Sequence, residues 1–148
     1  MDPFSLATAN EIFAAFPEWR SFAREERADD GSTFLVVEVL PPDEANVERG
    51  LVIDTSNREV TVVFDCFHSH FERWRGDGDH FGAQAALEFV EGIINERVAV
   101  VSWWQGAVWR GSSLLAAGAA PKPPSWQAES DHVRVRSWKG SLNVDISA

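Results

Sequence analysis

Asp65, Cys66, His68 and His70 fall within six positions of one another and form the densest group of side chains able to move protons, attack an electrophile or hold a metal. They close the stretch Glu59–Phe71, Glu-Val-Thr-Val-Val-Phe-Asp-Cys-Phe-His-Ser-His-Phe, and are set among Phe64, Phe67 and Phe71. His68-Ser69-His70 is an H-x-H pair, and on a strand positions i and i+2 share a face, so both imidazoles could approach one ion. Zinc takes three or four nitrogen, sulfur or carboxylate ligands. Asp65, Cys66, His80 or His132 would have to complete the set, and none stands at a spacing that demands it. The sequence has no HExxH and no CxxC. The plainer account is that the histidines hydrogen-bond at a strand-to-loop junction.

Cys66 with His68 or His70 could be a thiol nucleophile and its base. Neighbours at i and i+2 seldom align as an attacking pair, however, and strand alternation turns Cys66 towards the core and Asp65 away from it. A buried cysteine usually behaves as a small hydrophobe. Gly76-Asp77-Gly78 is not the G-x-G-x-x-G of a phosphate-binding loop. No metal or other cofactor is expected.

Tryptophan is the second signal: the chain has seven Trp and ten Phe but no Tyr. Trp103 and Trp104 are adjacent on a strand and must point to opposite faces, so one enters the core while the other meets solvent or a partner. Trp109 can meet one of them across a hairpin. Trp is prominent among the residues that dominate binding interfaces, although it also serves as ordinary core filler.

Several elements must position these groups. Residues 4–23 read as helical, with Leu6, Ile12, Phe13, Phe16, Trp19 and Phe22 as the apolar face and an interruption at Pro17. Arg24 to Ser32 reads as a charged loop. Thr33 to Leu40 is a strand. Leu51–Asp54 and Glu59–Asp65 read as a hairpin in which Ile53 faces Val60 and Leu51 faces Val62, with Phe64 on the same inner face. His80 to Glu96 is a helix, N-capped by Asp79, with a stripe of Gly82, Ala86, Phe89, Val90, Ile93 and Ile94. Val98–Trp104 is a strand turned by Gln105-Gly106 into Ala107–Arg110, and Ser112–Ala117 is a further strand. Around Lys139-Gly140 the C-terminal hairpin pairs Val135 with Val144, Val133 with Ile146 and Arg134 with Asp145, the valines and Ile146 facing the core. The fold class expected is α+β, a mostly antiparallel sheet of about six or seven strands with two main helices, in a single domain over 1–148.

A chain of 148 residues can bury a core without disulfides, and its one cysteine cannot make an internal bridge. No apolar run approaches the roughly 18 residues that span a bilayer, and the first residues lack a signal-peptide pattern, so a cytoplasmic protein with no membrane partner is expected. The net charge of −10 is uneven: residues 1–100 carry 20 acidic and 8 basic side chains, residues 101–148 carry 3 and 5. Such a surface disfavours nucleic acid and attracts a basic partner.

The run Val-Val-Phe-Asp-Cys-Phe-His-Ser-His-Phe, followed by a helix and then Val-Ser-Trp-Trp, resembles small bacterial immunity proteins of polymorphic toxin systems, over about residues 50–115. The resemblance implies a non-enzymatic α+β protein that binds a cognate toxin domain and blocks its active site. On that expectation Asp54, Glu59, Asp65, Glu72 and Asp79 supply an acidic rim. His68, His70, Phe71, Trp74 and Trp104 supply anchors, and a basic toxin surface such as that of a nuclease is the complement. The alternative is a small metal- or histidine-dependent enzyme with its site at Asp65, His68, His70 and His80.

Overall fold

The computed structural model describes residues 1–71, 81–121 and 129–147. The expected helix cap Asp79 and the expected site residues Glu72, Trp74 and His80 lie outside the described residues. Two α-helices, α1 (Pro3–Ala15) and α2 (Phe81–Ile94), accompany nine strands among the described residues. The strands are β1 (Ala23–Arg27), β2 (Thr33–Val39), β3 (Leu51–Asp54), β4 (Val60–Phe64), β5 (Phe67–Phe71), β6 (Val98–Gln105), β7 (Val108–Ala116), β8 (His132–Arg136) and β9 (Val144–Ser147). The class is α+β, but there are two antiparallel sheets in place of the single one expected, with orders β1-β2-β3-β4-β5 and β7-β6-β8-β9. The chain divides into two compact units, Met1–Leu40 with Gly50–Val63 and His68–Val90, and Pro41–Arg49 with Phe64–Phe67 and Glu91–Ala148. No helix of the described residues is long and apolar enough to cross a membrane.

In the first unit α1 begins where Asp2 accepts the Ser5 N–H at 2.9 Å, with Pro3 opening the helix. It ends before Pro17, as expected, and a short 3-10 turn runs over Pro17–Phe22. Its buried face matches the expected one at Ile12 and Phe13 but not at Leu6. Ser5, Thr8, Ala9, Ile12 and Phe13 are buried, whereas Leu6 and Phe22 are exposed. The spacing is helical but the residues are small and polar, because the Ser5 hydroxyl meets the Thr55 hydroxyl at 2.7 Å, and a leucine there would leave Thr55 without that partner.

Residues 23–27, of which Ala23 was expected in the helix and Arg24–Arg27 in a loop, form an edge strand. Four consecutive charged residues hid it from a search for apolar periodicity, and charge is a usual device for keeping an edge from pairing further. The β3–β4 register also differs: Ile53 faces Val62 and Asp54 faces Thr61. Asp54 faces Thr61 rather than Glu59, so the connection is two residues longer, all on the β4 side of the expected tip, with a 3-10 turn at Ser56–Arg58 and left-handed Asn57 and Arg58. A slip of two keeps every side chain on its face, so Leu51, Ile53, Val60, Val62 and Phe64 are all buried, as expected. Leu35, Val37 and Val39 of β2 join them. Each such side chain contributes about 1.5–3 kcal/mol by leaving water. In α2 the expected stripe holds in part: Gly82, Ala86, Val90 and Ile93 are buried and Phe89 and Ile94 half-buried, with Glu88 and Glu91 exposed.

In the second unit β6 is central. Ala99, Val101, Trp103, Val133 and Val135 form one core, with Leu115 and Leu142 against it. β7 is one nine-residue strand where two were expected, because the hairpin turns at Gly106-Ala107, pairing Gln105 with Val108, and a bulge absorbs Arg110. The β8–β9 register is the one read from the sequence. Val144 and Ile146, expected on the core side, are exposed on this edge strand, while their partners Val135 and Val133 are buried.

Candidate functional site

Strand pairing in the first unit fixes which side chains share the sheet face opposite the core. Arg24 faces Val36 and Glu26 faces Phe34; Val36 faces Asp54 and Glu38 faces Val52; Val52 faces Val63 and Asp54 faces Thr61. His68 and His70 are exposed on β5, whose other positions are half-buried. The His70 ring joins this row, its Nδ1 lying 2.9 Å from the Thr61 hydroxyl and 2.9 Å from Oε1 of Glu59. His68 meets His70 edge to face at 5.1 Å between ring centres.

Among the described residues the strands of this face carry four carboxylates, Glu26, Glu38, Asp54 and Glu59, against one guanidinium, Arg24. Arg24 binds Glu26 at 2.7 Å and Glu38 at 3.0 Å, and these two carboxylates hold it above its usual range. Phe34, Val52 and Val63 lie half-buried between the charges. Asp54 also accepts the Ser56 N–H at 2.6 Å, which stiffens the loop beside it. Of the residues expected from the sequence, Asp54, Glu59, His68 and His70 are thus brought together. Phe71 is not among them; its ring is half-buried and tilts against Phe89 at 5.5 Å. Glu26 and Glu38 were missed. Glu26 was lost with its strand, but Glu38 was visible as the one charge in an otherwise apolar run.

Asp65 and Trp104 belong to the second unit. Asp65 is 2% exposed, contrary to the outward position expected, and Cys66 is half-buried. Alternation stops at Phe64, because Asp65-Cys66 is the turn between β4 and β5. Asp65 has φ of 52°, the left-handed first turn position that Asp tolerates. Its carboxylate accepts the Glu48 N–H at 2.8 Å, and its own N–H donates to the Arg49 carbonyl at 3.0 Å. The Cys66 thiol is pushed up to about 12, first by burial and then by the Asp65 and Glu48 carboxylates. It stays protonated at neutral pH and is a poor nucleophile.

Trp103 and Trp104 do take opposite environments: Trp103 is buried and Trp104 half-buried. Trp104 pairs with Trp109 on one side and His132 on the other, with the His132 ring stacked at 6.1 Å. Arg134 lies over the Trp104 ring at 5.0 Å and binds Glu48 at 2.7 Å. This is a packed aromatic–cation row in which the Trp104 indole donates to Ser102, His132 meets Asp131 and Arg134 binds Glu48.

Among the described residues no group of three or more His, Cys, Asp or Glu is placed to hold a metal ion. Comparison with protein-family models, curated proteins and solved structures finds no match to the chain.

Proposed function

We propose that this chain is a non-enzymatic inhibitor, an immunity protein that binds a cognate bacterial toxin domain and neutralises it by direct contact. The observation that carries this reading is the outer face of the first sheet. Among the described residues, four carboxylates share this face with half-buried Phe34, Val52 and Val63 and the imidazoles of His68 and His70, and Arg24 is its strand-borne cation. An apolar centre with a rim in which acidic groups outnumber basic ones is the anatomy of a surface that meets a basic partner. A basic toxin surface, such as the substrate channel of a nuclease, is the natural complement. The first unit holds 14 acidic and 6 basic side chains, so its field draws such a partner towards this face.

Enzymatic chemistry has less support. The Cys66 thiol is held protonated, and the carboxylate of Asp65 is engaged by a backbone N–H inside a turn.

The test is expression of the C-terminal domain encoded by the open reading frame beside this gene, with and without this chain. Growth arrest alone, with recovery and a stable complex on co-expression, is the expected result. A harmless neighbour from which nothing co-purifies removes the toxin reading.

A further inference from the structure

We draw no further inference here: the strongest candidate, the apolar cavity of about 240 Å³ against the core face of the second sheet, lined by Ala99, Leu115, Val135, Leu142 and Val144, carries none because nothing in the structure shows what covers it.

Discussion

The hydroxyls of Ser5 and Thr55 meet at 2.7 Å, fifty residues apart, in the buried interior of the first unit. Thr55 Oγ1 also accepts the Leu35 N–H at 2.9 Å, and the Ser5 hydroxyl donates to Asp2 at 2.7 Å. The cap of α1 and the end of β3 are therefore held by one continuous polar chain. Thr55→Val keeps the shape but strands the Leu35 N–H and removes the partner of Ser5. It is expected to cost about 2–3 kcal/mol, and Ser5→Ala about 1–2. Urea unfolding of both single variants and the double variant measures this. The double variant should fall short of the sum of the singles, because the two share one network. Strict additivity would mean that the hydroxyl pair contributes nothing of its own.

That same pair explains what could be read in the sequence and what could not. Hydrophobic periodicity is legible wherever burial is done by apolar residues, as in α2 and on the inner faces of β2, β3 and β4. Ser5 and Thr8 carry no apolar signal, so Ile12 and Phe13 were legible on the buried face of α1 while its first turn was assigned to Leu6, which is exposed. β1 was missed because an edge strand with four charges looks like a loop to any rule based on alternation. The β3–β4 register slipped by two because left-handed Asn57 and Arg58 make a longer turn than a two-residue tip. Parity survived, and with it the outward placement of Asp54, Glu59 and Thr61. Asp65 was placed wrongly because alternation was carried one residue into a turn.

Glu96 ends α2 in the left-handed conformation and organises the Ser137–Asn143 loop. Its Oε1 accepts the Ser137 hydroxyl at 2.7 Å and the N–H groups of Lys139 at 2.8 Å and Ser141 at 3.3 Å. Burial pushes this carboxyl up, but the Ser141 and Ser137 hydrogen bonds together with the two backbone donors outweigh it and hold it below the ordinary value of 4.5. A depressed folded value means that the stabilisation is present above about pH 4.5 and is lost as pH falls through that depressed value. Glu96→Gln is expected to lower stability at pH 7 by about 1–2 kcal/mol and to flatten the acid limb of the stability curve. In the same loop Gly140 has φ of 78°, and an added Cβ would overlap the Glu44 carbonyl. Gly140→Ala is therefore expected to cost about 2–4 kcal/mol, more than Glu96→Gln. Thermal melts across pH 3–8 separate the two effects, since the glycine variant should shift the whole curve without changing its slope.

Cys66 offers a test at the other end of the pH scale. Burial, then the Asp65 and Glu48 carboxylates, raise its thiol to about 12 from an ordinary 9.0. A raised folded value gives a stabilisation fully present below about pH 9 and lost as pH climbs towards 12. Reaction with a disulfide reagent at pH 8 is expected to run at least tenfold slower than for a free thiol, because the thiolate is the reactive form. Cys66→Ala should remove part of the alkaline loss of stability between pH 9 and 10.5. Rapid labelling at pH 8 in the folded protein would show that the thiol ionises normally and would restore it as a candidate nucleophile.

The acidic face of the first sheet makes a prediction that separates attraction from packing. Glu38→Gln, Asp54→Asn and Glu59→Gln each remove one charge without changing side-chain shape. Asn at 54 still offers an acceptor to the Ser56 N–H, and the Arg24–Glu38 pair is exposed and contributes little, so stability should stay within about 0.5 kcal/mol. With a basic partner domain, steering scales with the charge on this face and is screened by salt. The association rate is therefore expected to fall about two- to fivefold per carboxylate at low ionic strength, with the three effects accumulating and vanishing near 0.5 M salt. The dissociation rate should respond differently. Asp54 and Glu59 border Thr61 and His70, and a rise in dissociation confined to Glu59→Gln and His70→Ala would place contact on that side of the face. Stopped-flow mixing of the labelled partner with each variant across a salt series reads both rates. If the triple variant associates as fast as the wild type at every salt concentration, the partner does not land on this face, and the binding reading has to find another surface.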